Sequence, residues 1–177
     1  MDFIDHYHSP LGDLLTVADE TGLIGLWFKG EKDFAHSLSA DPAERQTPIL
    51  LETRRWLDIY FSGKDPGFLP PLQFKGSSFQ KAIWKLLLQI PYGHTTTYGE
   101  ISRNFAVKQG IRKMSAQAVG GAVSHNKIPI IIPCHRVIGA DGSLTGYAAG
   151  LEKKAQLLAL EGVSLTRPYL WSFPYID

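Results

Sequence analysis

Cys134 is the sole cysteine among 177 residues, and His135 and Arg136 follow it directly. A thiol becomes a strong nucleophile only once its proton is removed, and histidine is the usual acceptor. The pair therefore points to nucleophilic sulfur chemistry. Two plainer readings stand beside it. A lone cysteine is often a small buried hydrophobe next to a structural histidine. A Cys–His pair also serves hydrolases, which need an oxyanion hole and turnover. Neighbours on an extended segment point to opposite sides, so contact between the two side chains requires a sharp turn or an intervening water. One cysteine excludes an intrachain disulfide and a multi-cysteine zinc site, and the six histidines have no metal-ligand spacing. No metal and no cofactor are expected.

Several elements must position this pair. Ile128-Pro129-Ile130-Ile131-Ile132-Pro133 leads into Cys134. It is apolar and bracketed by prolines, and reads as a strand that cannot be fully bonded within a sheet. Upstream, Phe79 to Gln89 has amphipathic helical spacing, with Phe79, Ile83, Leu86 and Leu87 on one side and Trp84 and Phe79 assigned to the core. Thr97 to about Phe105 predicts a short helix. Ser115 to Ser124 predicts another, dominated by Ala116, Ala118, Gly120, Gly121 and Ala122. Short helix, loop, short helix outlines a helix-turn-helix. Each glycine weakens a helix by roughly 1 kcal/mol; close approach of another backbone, protein or DNA, would account for that loss. Leu151 to Glu161 predicts a last helix, with Leu151, Ala155 and Leu158 on one face, Lys153-Lys154 on a solvated face and Gly162 as its cap.

The N-terminal part has a different grammar. Residues 1–30 read as strands, with a hairpin joining Leu14–Ala18 to Leu23–Phe28 through Asp19-Glu20-Thr21-Gly22. Residues 31–48 read as irregular, Ile49 to Phe61 as a helix, and 62–78 as a Gly- and Pro-rich connector. Residues 163–177 carry Pro168, Pro174 and four aromatics, and are expected to lie in a surface groove. The domain boundary is therefore placed between residues 75 and 76.

Composition bounds the rest. The chain is 44% hydrophobic and 20% charged, which is ordinary for a globular protein. The net charge of +1 conceals an asymmetry: residues 1–75 hold 7 basic and 12 acidic side chains, residues 76–177 hold 11 and 5. A basic C-terminal part is compatible with a polyanionic partner. No apolar run approaches the ~20 residues of a membrane span, and the N-terminus lacks the basic-then-apolar pattern of a signal peptide. A cytoplasmic monomer with no membrane partner is expected.

Ile130-Ile131-Ile132-Pro133-Cys134-His135-Arg136-Val137-Ile138-Gly139 resembles the active-site signature of the O6-alkylguanine-DNA alkyltransferases, and the resemblance continues in register over roughly residues 5–163. Asn126 stands where that family has its hinge Asn, Gly146-Tyr147-Ala148 where it has its substrate loop, and Lys154 and Glu161 at the matching places in the last helix. Tyr98, within Thr-Tyr-Gly-Glu-Ile, matches the DNA-contacting Tyr. Ser9-Pro10-Leu11-Gly12 and Gly25-Leu26-Trp27-Phe28 are similar to bacterial members.

The resemblance implies an α+β chain, with a ribonuclease-H-like N-terminal domain (1–75) of structural role and a mostly helical, winged-helix-like domain (76–177) carrying DNA binding and chemistry. It implies direct-reversal repair of double-stranded DNA, with one alkyl group moved from O6 of a flipped guanine to Cys134 and kept there. O4-alkylthymine is a second candidate substrate. Cys134, His135, Glu161, Asn126 and Tyr98 are the implied catalytic set. The carbonyls of Cys134 and Val137, the Ala148 N–H, and Tyr147 and Pro129 as walls are the implied base pocket. Ala116, Gln117, Ala118 and Ala122 are the implied DNA-facing residues, and Arg136 is implied to be structural or phosphate-facing. Two departures stand out: Gln117 replaces the usual Arg that fills the space left by the flipped base, and Ala149 replaces a common Gly. The alternative within the same scaffold is an alkyltransferase-like protein that binds alkylated guanine without reacting; such proteins lack the cysteine.

Overall fold

Turn chemistry sets the first sheet. In the computed structural model, which describes residues 1–31, 38, 39, 41–164 and 171–174, β1 (Phe3–Ser9) folds back on β2 (Gly12–Ala18), and β2 on β3 (Leu23–Phe28). Both pairings are antiparallel. The Asp19 carboxylate closes the second turn by accepting from the amides of Thr21 and Gly22, as Asp does in tight turns. A two-residue β4 (Ala43–Glu44) adds in parallel to β1, giving the order β3-β2-β1-β4.

Helix α1 (Pro48–Phe61) starts at Thr47, whose side chain accepts from the Leu50 amide. Pro48 sits in the first turn, where its missing N–H has no helical partner to lose. Leu50, Thr53, Trp56, Leu57 and Tyr60 are buried where the helix packs on β1, β2 and β3. A second apolar cluster joins Leu15, Val17, Ile24 and Trp27 with the partly buried Ile4 and Leu38. The connector returns to the sheet: Leu23 N–H donates to Pro71 O at 2.7 Å and Leu23 O accepts from Gln73 N–H at 2.8 Å. Gly22 permits this approach, since a Cβ there would lie 2.9 Å from the Gln73 backbone.

The chain divides into two compact units, Met1–Lys75 with Lys127–Pro129, and Gly76–Asn126 with Ile130–Asp177. Lys127 joins the first because its carbonyl accepts from Leu26 N–H at 2.9 Å. In the second unit, α2 (Ser78–Leu87) opens on a reciprocal capping box between Ser77 and Gln80. It buries Ile83, Trp84, Leu86 and Leu87. Two-residue β5 (Thr96–Thr97) runs into α3 (Tyr98–Gln109), which Thr97 caps. This helix is about a turn longer than the sequence pattern predicts, and Gly110 ends it in the left-handed region at φ +65°. α4 (Ala116–Ser124) is capped by Ser115 and tied to α2 by a Trp84 Nε1–H bond to Ala122 O at 2.9 Å. A 3-10 turn over Cys134–Arg136 leads into β6 (Val137–Ile138), which pairs in parallel with β5. α5 (Leu151–Leu160) follows Gly150. Within the tail, Trp171 N–H donates to Thr95 O and Phe173 is buried against the Trp171 ring edge. Residues 165–170 and 175–177 lie outside the described residues, as do 32–37 and 40 of the expected irregular stretch.

The architecture is α+β, as expected, but two local expectations fail. Ile128–Pro133 is not a strand; it is a succession of turns. Two prolines remove ladder donors, and Ile130 adopts φ +74°, a costly conformation for a β-branched side chain. The run is apolar because Ile128, Ile130, Ile131 and Ile132 are buried, not because they pair. The inner face of α5 is also rotated from the expected one: Leu151 is 48% exposed, while Lys154 is buried beside Leu157 and Leu158. No helix among the described residues is long and apolar enough to cross a membrane.

Candidate active site

The backbone bends at the Cys–His pair in a 3-10 turn instead of running extended. Cys134 N–H donates to Ile132 O at 2.8 Å and Arg136 N–H to Pro133 O at 3.0 Å. Asn126 fastens the approach: its Nδ2 donates to Ile132 O at 2.8 Å. Cys134 is nearly buried and His135 fully so.

Glu161, the C-cap of α5, organises what lies behind. Its Oε2 is 2.5 Å from His135 Nε2. Its Oε1 accepts from Arg136 Nε at 2.8 Å and from Gly93 N–H at 2.9 Å. Burial alone would raise this carboxyl; the His135 and Arg136 partners outweigh it and hold Glu161 well below the usual carboxylate range. An ionised carboxylate only accepts, so Nε2 carries the imidazole proton and Nδ1 is left as the basic nitrogen. Burial pushes His135 below its ordinary value against the pull of Glu161, keeping the ring neutral and able to take a proton. Arg136 also donates through Nη1 to Ile90 O at 2.7 Å and lies over the Tyr92 ring. It is a buried strut, which excludes the phosphate-facing option.

On the other side, Lys154 is wholly buried, contrary to the solvated face expected for it. Its Nζ donates to Val137 O and Thr145 O, both at 2.6 Å. Burial pushes its ammonium down to about 8, opposed by the negative charge Cys134 can carry. Tyr98 Oη donates to the same Thr145 carbonyl at 3.3 Å. Burial raises the Tyr98 phenol, and the Cys134 charge adds to that. Thr145 O is thus a node joining Tyr98 and Lys154, which the sequence reading did not identify. The available signal was a lysine three and four residues before Leu157 and Leu158, on their side of the helix.

The other expected residues are placed as follows. The Cys134 carbonyl accepts from Val137 N–H and the Val137 carbonyl from Lys154; each keeps a second lone pair. Tyr147 is buried, Ala148 exposed and Ala149 half-buried in the turn closed by Gly150 N–H to Tyr147 O at 2.9 Å. Pro129 belongs to the first unit. Ala116, Gln117 and Ala118 are exposed on the first turn of α4, with Gly121 beyond them. Ala122 faces inward instead, 3% exposed: its position three residues after Val119 puts it on the inner stripe with Val119 and Val123. Among the described residues no cluster of three His, Cys, Asp or Glu side chains is placed to hold a metal.

Comparison with known proteins places the chain. Residues 78–163 match the profile described as 6-O-methylguanine DNA methyltransferase, DNA binding domain, and residues 4–74 match its ribonuclease-like domain. A methylated-DNA–protein-cysteine methyltransferase of Methanosarcina acetivorans is 43% identical over 157 residues, spanning 88% of this chain and 96% of the relative. That of Haemophilus influenzae is 36% identical over 179 residues, spanning 99% and 89%. The crystal structure of Mycobacterium tuberculosis OGT in complex with DNA superposes with a TM-score of 0.75 at 38% identity, covering 90% of this chain and 92% of that one. The chain belongs to the 6-O-methylguanine DNA methyltransferase family.

Proposed function

We propose that the protein reverses alkylation damage in duplex DNA by moving a methyl or larger alkyl group from O6 of guanine to its own Cys134, once per molecule. One observation carries the reading: the sole cysteine is followed by a fully buried histidine whose Nε2 is held by an ionised Glu161, leaving Nδ1 basic.

In this reading His135 takes the Cys134 proton through a water, and Glu161 fixes the tautomer and balances the imidazolium. Asn126 serves by holding the Ile132 carbonyl, and with it the Cys134 turn. Sγ attacks the alkyl carbon in line; the S–C bond forms as the C–O6 bond breaks, and the bonding pair leaves with guanine. Tyr98, whose phenol burial keeps protonated, supplies a proton at N3, and solvent exchange returns one to it. The product is a thioether that no neighbouring group hydrolyses, so the reaction ends there. The leaving base is read by the carbonyls of Cys134 and Val137 and the Ala148 N–H, beside the Tyr147 ring. Carbonyls suit the guanine N2 amine, which only donates.

The target atom lies within the base stack, and flipping it out costs a few kcal/mol. Helix α4 is the element assigned to the groove. Gly121 has nothing within 4 Å of where a Cβ would stand, and Gly120 would make only ordinary contact with the Tyr98 ring. Internal packing therefore demands neither glycine, which supports close approach by a molecule outside the chain. Residues 76–177 are assigned binding and chemistry, and residues 1–75 support; a cytoplasmic location is compatible with this substrate.

Intact mass after mixing with duplex carrying O6-methylguanine is the test. A gain of one methyl, absent in Cys134→Ser, is expected. Unchanged mass, with the duplex still bound, would instead favour the lesion-binding alternative.

A further inference from the structure

Helix α4 has no charged side chain along Ala116–Ser124. Affinity for duplex DNA rests mainly on neutralising phosphates, so a helix of small neutral residues supplies shape and little attraction. The charge must come from its surroundings. From residue 101 to residue 140 there is no Asp or Glu, and Lys108, Arg112 and Lys113 fall just ahead of α4.

These three cations stand on a formed ledge. Residues 107–113 are exposed without interruption, and beyond the half-buried Met114 the exposed surface continues onto Ser115–Ala118. At the start of the ledge, Gly110 N–H donates to Val107 O at 3.2 Å and Ile111 N–H to Ala106 O at 3.0 Å. At its end, Ser102 Oγ is bonded to the Met114 carbonyl. The nearby Arg103 is engaged with Glu100 at 2.8 Å. Among the described residues, Lys108, Arg112 and Lys113 have no such carboxylate partner. A surface held at both ends loses little conformational entropy when it is covered.

We infer that the ledge 107–113 is a phosphate-binding element, in which Lys108, Arg112 and Lys113 grip the DNA backbone beside the groove that α4 enters. Charge that neutral Gln117 does not supply from within the helix is supplied from the turn before it. The exposed Val107 and Ile111, 60% and 42% accessible, give apolar surface for the deoxyribose faces between phosphates. The inference rests on α4 being the groove helix.

The test is the salt dependence of binding by the full chain, followed by fluorescence anisotropy on a labelled duplex carrying O6-methylguanine. Each phosphate neutralised contributes about 0.9 to the slope of log K against log salt, so the combined Lys108→Gln, Arg112→Gln, Lys113→Gln variant is expected to lose roughly 2–3 from that slope. The charge-preserving Lys108→Arg, Arg112→Lys, Lys113→Arg variant keeps it. Methyl uptake from the free O6-methylguanine nucleoside, which has no phosphate, stays at the wild-type rate in both. A glutamine variant with the wild-type slope overturns the ledge while leaving the repair reading intact, as does a charge-preserving variant that loses as much as the glutamine one. A wild-type protein with no salt-dependent affinity for the duplex overturns both.

Discussion

Both units carry surface ion pairs, Arg103–Glu100 being one in the second, but among the described residues only the second also buries a charged network. In the first, ion pairs lie at or near the surface: His8–Asp13, His6–Glu44 and Lys75–Asp19 all retain exposed side chains, and the best formed, Arg54 to Asp5 with bonds of 3.2 and 2.9 Å, leaves the arginine a third exposed. In the second, the His135 and Glu161 side chains have no exposed surface, Arg136 has 9%, and Lys154 is wholly buried. Surface pairs contribute about 0–1 kcal/mol. Buried ones cost desolvation that their attraction only partly repays. The first unit stands on its apolar sheet and helix, with charge as trim. The second carries buried charge that stability alone does not require, and such groups concentrate where protons are moved.

Removing one partner from each network gives the largest contrast. Glu161→Gln leaves the His135 and Arg136 groups buried beside a neutral amide, at an expected loss of about 3–5 kcal/mol. It also lowers the methyl-transfer rate by roughly two orders of magnitude or more, in the range of general-base loss. Arg54→Gln is expected to cost about 1 kcal/mol and to leave transfer untouched. Urea denaturation and the rate of mass gain read both. Equal costs at the two sites would erase the distinction between the units.

Lys154 sharpens the contrast through pH. Its ammonium is held down to about 8 against an ordinary 10.5, so between those values the unfolded chain binds more protons than the folded one. Stability therefore rises with pH across that window, by roughly 3 kcal/mol at most. On the acid side the signs of His135 and Glu161 agree. Both are depressed on folding, so their contributions are present above the ordinary values of 6.5 and 4.5 and are lost as pH falls below them. The urea midpoint of the wild type is expected to climb between pH 8 and 10.5. Lys154→Met flattens only that limb, and Glu161→Gln only the acid one. A Lys154→Met profile parallel to the wild type above pH 8 would refute the buried-ammonium account.

Much of this was readable from residue order, for reasons that differ by region. The hairpin followed from apolar runs around Asp19-Glu20-Thr21-Gly22, and the helices from their apolar spacing, because turn formation and periodicity are local; the caps Thr47 and Ser77, two residues ahead of the predicted starts, were seen only in the structure. The family resemblance pointed to Cys134, His135 and Glu161, and the structure joins His135 to Glu161. What escaped depends on tertiary context. Ile128–Pro133 has strand composition, yet whether an apolar run pairs or merely packs is decided by neighbours, and here Ile130 turns left-handed. Lys154 reads as a solvated lysine until two backbone carbonyls are seen to hold it. Ala122 looked like Ala116 and Ala118, but helical phase put it inside.

Gln117 is exposed on α4 and is the place where one charge can be moved back into the helix. Gln117→Arg is expected to steepen the salt slope by about 0.9 and to tighten lesion binding several-fold, measured by anisotropy against the parent. Its stability should shift by less than about 0.5 kcal/mol, as for most surface substitutions. Unchanged affinity and slope would mean that the space left by the flipped base does not need a cation here.

The smallest expected effect tests pocket width. Ala149 is half-buried in the turn closed by Gly150 N–H to Tyr147 O, two residues after the buried Tyr147. On the proposed base pocket, a methyl group there would narrow the entrance more for a benzyl than for a methyl substituent. One methylene in an apolar pocket is worth about 1–3 kcal/mol in discrimination, and a half-buried methyl at the rim belongs at the low end or beneath it. Ala149→Gly is therefore expected to react several-fold faster with O6-benzylguanine, with methyl uptake from DNA unchanged. The comparison must be a ratio of the two substrates within each protein, since an added glycine also loosens the loop by up to about 1 kcal/mol. Loosening alone would move both rates together. A wider pocket moves only the benzyl rate, so an unchanged ratio would show that Ala149 does not line the path of the alkyl group.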